Sequence, residues 1–271
     1  MKNISLKEMQ QIELNLLLEF DKVCKNNNLT YYIDGGTLLG AMCYEGFIPW
    51  DDDIDLKMPR ADYEKLCSLV SEFPQYIDLI IPSKEHSDYT MIKLVDNRTV
   101  LKERVGETVK TTGVYLDIFP MDGHPDDEKE CKKHLRSLQR LNTLFHYSLN
   151  GFTDMRQSKS LTTRVKGTIY SWFFTPWRIY QRLNNKARKY EYENCEYVGL
   201  LIEGDPIKER FRKEWLKPGF SLEFEGYQFP APIGYKEHME IFYGEHVTKP
   251  DCYHNLPQYP PQHDHEVYWK E

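Results

Sequence analysis

The sequence lacks the features of several protein classes. No run of about 18 apolar residues occurs in it, and its first residues contain no apolar segment, so we expect neither a membrane-spanning helix nor a signal peptide. The six cysteines form no C-x-x-C pair, which argues against a zinc knuckle and against a disulfide framework. The formal net charge of -7 argues against nucleic acid as the main partner. We therefore expect a cytoplasmic protein in a reducing compartment.

The composition predicts a folded chain with a large core. Apolar residues make up 40% and aromatic residues 14% of the 271 positions, which suits a single domain with appended segments. The pattern predicts an N-terminal amphipathic helix over 6–26 that begins with a capping box. After it we expect a mixed α/β (α+β) core over about 30–125, a helical insert over about 126–205 and a C-terminal segment over about 206–271 that closes the site, with a solvated, proline-rich end.

The most unusual stretch is an acidic run, DDDID, that begins at Asp51. If 50–58 is a strand, its side chains alternate between two faces, so that Asp51, Asp53 and Asp55 share one face and Ile54 lies on the other. Same-face carboxylates then have Cα atoms about 6.8 Å apart, close enough to hold one or two divalent cations. Unpaired like charges repel and resist burial. A bound cation therefore explains the pattern better than packing does.

A solvated loop and a calcium loop both fit the acidic run less well. Acidic runs are usually solvated, but this one has apolar neighbours on both sides, GFIPW before it and LKMP after it. A calcium loop of the EF-hand type would need glycine and glutamate where the chain has Leu56 and Asp62. A cation site on a packed strand is the preferred interpretation.

A glycine pair precedes the acidic run. Asp34-Gly35-Gly36-Thr37 lies between a predicted strand at 29–33 and the apolar, helical LLGAM. Two glycines let a ligand approach the backbone closely, and the N–H groups at a helix start, with the Thr37 hydroxyl, suit a phosphate. A Gly-Gly pair is as often only a turn, so alone it is weak evidence for a phosphate site. The acidic run that follows strengthens this evidence.

A third carboxylate is predicted at Asp117. In the stretch VYLDIF, Val114, Leu116 and Ile118 form an apolar face and Asp117 projects from the opposite one. Two interpretations are open: an aspartate paired with a lysine or arginine at a strand end, and a carboxylate that joins the acidic run at one cation site. We prefer the second.

Four blocks of sequence carry a family resemblance: DGGTLLGA at 34–41, GFIPWDDDIDLKMPR at 46–60, LDIFPMD at 116–122 and FPAPIGYKEHMEIFYGE at 229–245. They resemble the LicD family, the bacterial phosphocholine transferases related to fukutin-type phosphotransferases. The resemblance implies a nucleotidyltransferase-like mixed sheet. It also implies transfer of phosphocholine from CDP-choline to a sugar hydroxyl of a cell-wall teichoic acid or lipopolysaccharide precursor, with release of CMP.

The resemblance implies roles for the acidic residues. Asp53 and Asp55 would bind Mg²⁺ or Mn²⁺, Asp51 would be a further ligand, and Asp117 would complete the site and act as general base. The glycine turn would hold the donor phosphates. The fourth block places His238 near the site.

Positive charge for the donor diphosphate must come from outside the acidic run. Lys93, on a predicted strand over 89–95, and Arg98, just after it, are the candidates for the donor phosphates. An ordinary role as surface cations explains both residues equally well.

Aromatic faces would hold the quaternary ammonium group of choline. Trp50, next to the acidic run, is the first candidate for such a cage, and Tyr31, Tyr44 and Tyr115 are others. Aromatic residues are more often part of a core, so both interpretations of these four stay open.

A basic and aromatic stretch, SLTTRVKGTIYSWFFTPWRIYQRL, fills 160–183. This mixture suits peripheral contact with an anionic membrane, such as the inner face of the plasma membrane, where a lipid-linked glycan acceptor would lie. A soluble glycan acceptor stays open. A buried helical hairpin, interrupted at Pro176, explains the stretch equally well.

Two further functions compete with phosphocholine transfer. Within enzymes, the same residues would serve a transferase of another phospho-alcohol or a nucleotidyltransferase. Outside enzymes, the acidic run would hold a structural cation in a binding protein.

Overall fold

The computed structural model describes residues 2–105, 108–157, 160–204, 207–249, 252 and 265–270. Within these residues the chain forms seven α-helices and ten strands, which confirms the predicted mixed α/β fold. The chain divides into two compact units. The first comprises Met1–Ile80, Met91–Pro120 and Lys213–Glu271, and the second comprises Ile81–Thr90 and Met121–Arg212.

The elements follow one another in the chain as α1 (Leu6–Asn27), β1 (Tyr32–Ile33), α2 (Gly35–Tyr44), β2 (Asp55–Pro59), α3 (Arg60–Leu66), β3 (Ile77–Ile80), β4 (Ile92–Val105), β5 (Thr108–His124), α4 (Glu128–Gln157), α5 (Leu161–Phe173), α6 (Pro176–Ala187), β6 (Tyr197–Leu200), β7 (Phe211–Arg212), β8 (Ser221–Phe224), β9 (Tyr227–Pro230), α7 (Tyr235–Tyr243) and β10 (His265–Trp269). Four short 3-10 helices lie between them in the described chain.

The sheet of the first unit has the strand order β1-β2-β5-β4-β10, and β3 also pairs with β4. β3 pairs with residues 93–96 of β4 and β10 with residues 99–103, so two strands share one edge of β4. The position of β10 is a correction. The proline-rich end of the chain was expected to be solvated, but its residues 265–269 complete the sheet because Val267 and Trp269 pack on the core beneath it.

Helix α1 covers the first unit's core and begins at the predicted capping box. The Ser5 hydroxyl accepts a hydrogen bond from the Glu8 amide (3.3 Å), and the Glu8 carboxylate accepts one from the Ser5 amide (3.0 Å). Leu16, Leu17 and Phe20 are fully buried along one face. Part of the core joins α1 to β4 and β5, through Ile4, Met9, Ile12, Val95, Leu101, Val114 and Tyr115.

The predicted strand over 50–58 begins later than expected, at Asp55. Its partner β1 has only two residues and pairs Ile33 with Leu56, because α2 begins at Gly35 and leaves no strand for the preceding acidic residues to pair with. Burial alternates along this stretch, but the predicted separation of faces is wrong for Asp52, whose carboxylate lies beside those of Asp51 and Asp53. Asp51, Asp53 and Asp55 are half-buried, and Ile54 and Leu56 are fully buried.

The second unit is largely helical. The last residues of β5, Met121–His124, pair with β6, which pairs with β7. Leu135 and Leu138 of α4 share a buried cluster with Leu183 and Ala187 of α6. Helix α6 begins with Pro176 at its first turn, where proline is favoured. None of the helices in the described chain is long and apolar enough to cross a membrane.

A disulfide in the first unit joins the last turn of α2 to the C-terminal segment. Cys43 and Cys252 have Cα atoms 5.8 Å apart and are separated by 209 residues. The expectation of no disulfide is therefore wrong for this pair. The reason is that sequence spacing carries no information on so distant a contact.

The disulfide predicts a thiol count. The chain, unfolded without reductant, should present four reactive thiols, those of Cys24, Cys67, Cys131 and Cys195, and after reduction all six cysteines should react with Ellman's reagent. In the variant Cys43→Ser every remaining cysteine should react without reduction. Six reactive thiols in the unreduced wild type would contradict the assignment.

Candidate functional site

A buried charged network fixes the start of α2. The ammonium of Lys57, on β2, donates to Asp34 Oδ1 at 2.6 Å, and the two side chains are 0% and 5% exposed. His238 of α7 places Nε2 3.5 Å from the same oxygen. Burial raises the pKa of the Asp34 carboxyl, but Lys57 and then His238 outweigh it, so that the pKa is lowered. Because losing Asp34 or Lys57 would leave a buried charge unpaired, this pair holds α2 and β2 together, and the His238 contact adds α7.

The glycine pair lets two carboxylates approach the first turn of α2. A Cβ atom on Gly35 would lie 2.7 Å from Asp55 Oδ2, and one on Gly36 would lie 2.7 Å from Asp51 Oδ2. Gly35 also has φ +52°, a value that other residues rarely adopt. Acidic side chains of the chain itself thus make the close approach that these glycines allow, and phosphate binding at the glycine pair stays a prediction. The partial positive charge of a helix N-terminus favours such carboxylates.

Thr37 fixes the position of the acidic run. Its hydroxyl accepts a hydrogen bond from the Asp55 amide at 2.9 Å, and the Asp34 amide donates to the Asp55 carbonyl at 3.0 Å. Together these bonds tie the start of β2 to the start of α2.

The acidic run concentrates negative charge. Asp51, Asp52 and Asp53 each place a carboxylate oxygen within 4.8 Å of the other two, close enough to hold one metal ion. Burial and the neighbouring charges, first those of Asp53 and Asp117, raise the pKa of Asp55 well above its usual value. A divalent cation among these carboxylates would offset the repulsion.

Asp117 lies beside the acidic run, as predicted. Its amide donates to the carbonyl of Ile54 at 2.9 Å. Its carboxylate accepts two hydrogen bonds from Lys93, at 2.6 and 2.9 Å, because the two residues are opposite each other in the β4–β5 register. The Lys93 ammonium also lies 3.4 Å from the centre of the Tyr115 ring. Asp117 is thus paired with a lysine, as the first interpretation has it, and a cation site shared with the acidic run stays a prediction.

Arg98 has a different set of partners. Its guanidinium donates twice to Asp96, at 2.9 and 2.5 Å, and lies 3.9 Å from the centre of the Tyr76 ring. Asp96 is 1% exposed. These contacts hold the Arg98 side chain against Asp96 and Tyr76. Its binding of donor phosphate stays a prediction.

Of the aromatic candidates, Trp50 and Tyr44 come together. Their rings meet edge to face, with centroids 6.4 Å apart, and both residues are half-buried. Tyr31 is instead a core residue, since it is 2% exposed, donates its hydroxyl proton to Asp21 and packs against Phe20. A partly open aromatic pair next to the acidic run is what a choline cage would need.

Glu13 was missed by the sequence reasoning. It lies on α1, is 0% exposed, and neither of its carboxylate oxygens has a hydrogen-bond partner among the described residues. Burial, and after it the charges of Asp53 and Asp52, raise the pKa of Glu13 well above its usual value. The signal in the sequence is the acid itself, between Ile12 and Leu14 on a helix face that is otherwise apolar.

The donor set of the site fits a hard divalent cation. Carboxylate oxygens are the ligands that Mg²⁺ and Mn²⁺ prefer, and the acidic run places several of them within reach of one ion.

Comparison with known proteins shows the family of the chain. The family model described as LicD/FKTN/FKRP, nucleotidyltransferase domain, matches residues 28–136. The chain is 30% identical over 259 residues to the lipopolysaccharide cholinephosphotransferase LicD of Haemophilus influenzae, covering 92% of this chain and 94% of that protein. An uncharacterized protein of Rickettsia prowazekii is 29% identical over 111 residues, covering 41% of this chain and 39% of that protein.

The family model that matches the chain is thus that of a nucleotidyltransferase-type domain. The chain belongs to the LicD family. The predicted family and the expectation of a LicD-type enzyme are confirmed.

Proposed function

We propose that this protein transfers phosphocholine from CDP-choline to a hydroxyl group of a cell-surface glycan precursor, such as a lipopolysaccharide or teichoic acid precursor, and releases CMP. The observation that carries the proposal is the convergence of the acidic run, the glycine pair and Asp117 in a chain that is 30% identical to a lipopolysaccharide cholinephosphotransferase.

Donor binding is assigned to the first turn of α2 and the acidic run. Asp53 and Asp55, with Asp51 and Asp117, would hold Mg²⁺ or Mn²⁺, which when bound neutralises phosphate charge and polarises the attacking hydroxyl. The backbone of Gly35 and the residues after it offers N–H groups at a helix N-terminus, which suit phosphate oxygens.

The acceptor hydroxyl needs a base. The hydroxyl oxygen of the acceptor forms a bond to the phosphorus of phosphocholine, and the bond from that phosphorus to the CMP oxygen breaks. The hydroxyl proton passes to Asp117. Lys93, which holds both oxygens of Asp117, orients this carboxylate. The same ammonium would share its charge with a donor phosphate, the role predicted for it.

The choline group is assigned to the Trp50–Tyr44 pair. A quaternary ammonium has no proton to donate, so aromatic faces bind it better than carboxylates alone would. These two rings lie at the end of α2 and just before the acidic run, and neither is fully buried.

The role of Asp53 separates an enzyme from a protein that merely binds a cation. In Asp53→Asn we expect CMP release from CDP-choline to fall by about a hundredfold or more, because a ligand of the catalytic cation is lost. The melting temperature without metal should stay within a few degrees of the wild type, since the change removes repulsion and no packing. Turnover is measured as acceptor-dependent CMP release, and stability is measured by thermal unfolding.

A matched control is Asp78→Asn, which makes the same charge change at an exposed position of β3 and should keep full turnover. A protein that merely binds a structural cation predicts a different pattern. The wild type would release no acceptor-dependent CMP, and Asp53→Asn would lose only the stabilisation by Mg²⁺.

The donor alcohol is tested with Trp50→Leu. The wild type should prefer CDP-choline to CDP-ethanolamine, and the variant should lose most of that preference because cation–π attraction to the quaternary ammonium is removed. The KM for CDP-choline should rise while the KM for CDP-ethanolamine stays the same. An equal loss with both donors would contradict the cage, and a wild-type preference for ethanolamine or a polyol donor would replace choline with that alcohol.

We also propose that α5 lies on an anionic membrane surface. Its apolar side chains are strongly exposed, Leu161 at 71%, Trp172 at 69% and Phe173 at 61%, and Arg164 and Lys166 on the same helix are exposed too. An exposed apolar stripe with basic neighbours is typical of helices that lie in the interface of anionic bilayers. The alternative of a buried hairpin gains no support from these exposures.

Vesicle binding tests this contact. With vesicles containing phosphatidylglycerol, Trp172 fluorescence should shift to shorter wavelength and the protein should sediment with the lipid, because the apolar stripe leaves water. Phosphatidylcholine vesicles should give much weaker binding, and Trp172→Ser with Phe173→Ser should abolish it. The absence of a fluorescence shift with anionic vesicles would contradict membrane contact by α5.

A further inference from the structure

Positive charge is concentrated at one cavity of the second unit. The cavity has a volume of about 370 Å³ and is formed by the first turns of α4 together with the end of α6 and the residues after it. Buried contacts between α4 and α6 hold these walls together. Four lysines line the cavity, in a chain whose net charge is -7: Lys129, Lys133, Lys186 and Lys189.

The protein itself balances little of this charge. Among the described residues that line the cavity, Glu130 is the one acid. Its carboxylate lies 3.5 Å from the Lys189 ammonium and accepts a hydrogen bond from the Tyr190 hydroxyl. Within the described chain the other three lysines of the cavity form no ion pair. A single carboxylate therefore faces four ammonium groups.

Helix stability does not explain the two lysines of α4. Lys129 lies in the first turn of that helix, where the helix dipole disfavours a positive charge. Lys133 follows four residues later on the same face, where two like charges repel. At the end of α6 the dipole favours a cation, so Lys186 has a structural explanation. A bound anion would offset the repulsion that Lys129 and Lys133 introduce.

His134 supplies a second, independent observation at the same cavity. It lines the cavity and is only 5% exposed, and its Nε2 has no hydrogen-bond partner among the described residues. Burial, and after it the charges of Lys186 and Lys189, lower the pKa of His134 to about 4. The ring is therefore neutral at pH 7, with a proton on one nitrogen. Since buried polar atoms normally have a partner, a ligand oxygen would complete this group.

We propose that this cavity binds a phosphate group, either of a soluble phosphate compound or of a phospholipid headgroup. Phosphate oxygens accept strong hydrogen bonds from ammonium groups and carry the negative charge that the lysines lack. A cavity of this size also admits the part of a small molecule that is attached to the phosphate. The site uses no residue of the acidic run and needs no metal, so it is separate from the proposed donor site.

Binding of inorganic pyrophosphate to the whole chain tests the soluble ligand. EDTA is present so that no divalent cation draws the anion to the acidic run. Calorimetry should detect binding that weakens as NaCl is added, because salt screens exposed charges. Lys133→Gln should bind about tenfold or more weakly, since a charged hydrogen bond is lost. Its melting temperature should be equal or higher, because repulsion from Lys129 is removed.

Lys132→Gln is the matched control. It makes the same change at the neighbouring position of α4, where the side chain is 62% exposed and is paired with Glu128 at 2.5 Å, and it should bind pyrophosphate like the wild type. An equal loss of affinity in both variants would overturn the proposal, because general charge would then explain the binding.

Vesicles containing phosphatidic acid, whose headgroup is a phosphate monoester, test the lipid headgroup. The variant Trp172→Ser with Phe173→Ser is used here so that α5 does not contribute. Binding to these vesicles that Lys133→Gln abolishes, without binding of pyrophosphate, would assign the cavity to a phospholipid. If neither pyrophosphate nor these vesicles bind, the proposal is wrong, whatever the outcome for turnover at the acidic run.

Discussion

Carboxyl groups of like charge crowd together at the acidic run of the first unit. Asp51, Asp52 and Asp53 bring oxygens within 4.8 Å of one another, and their charges, with that of Asp55, raise the pKa of the buried Glu13. Such an arrangement opposes folding, so the surrounding chain has to hold it together. Thr37 and the Gly35–Gly36 pair position Asp55 and Asp51, and Gln10 holds the backbone of Asp51. The buried Asp34–Lys57 pair fixes the two elements on which these contacts stand.

The same contacts explain why a helix, a strand and a distant C-terminal segment meet at this point. His238 is more than 200 residues from Asp34 in sequence, and its ring reaches that carboxylate because α7 packs back on the first unit. The hairpin of β8 and β9 returns to the loop after α2, where the Phe47 amide donates to Glu225 and the rings of Phe47 and Phe224 are 4.8 Å apart. The C-terminal segment is thus part of the support for the acidic run.

Features governed by local periodicity could be predicted. The capping box of α1 and the glycine start of α2 follow from neighbours within a few positions. The adjacency of Asp117 to the acidic run came from the family resemblance, because the sequence alone does not show how two distant strands align with each other. The start of β2 was misjudged because it depends on the length of β1, its partner.

Long-range contacts could not be predicted in the same way. The pairing of Lys93 with Asp117 depends on the β4–β5 register, and the disulfide joins residues 209 positions apart. Glu13 carries a signal, an acid inside an apolar helix face, but nothing local indicates what that acid faces.

A crystal structure with Mn²⁺ and CDP-choline, recorded at the manganese absorption edge, would test the role of the acidic run most sharply. We expect an anomalous peak about 2.2 Å from oxygens of Asp53 and Asp55, with the donor diphosphate at the first turn of α2. A manganese peak remote from these carboxylates, or a diphosphate bound elsewhere, would contradict the proposed site.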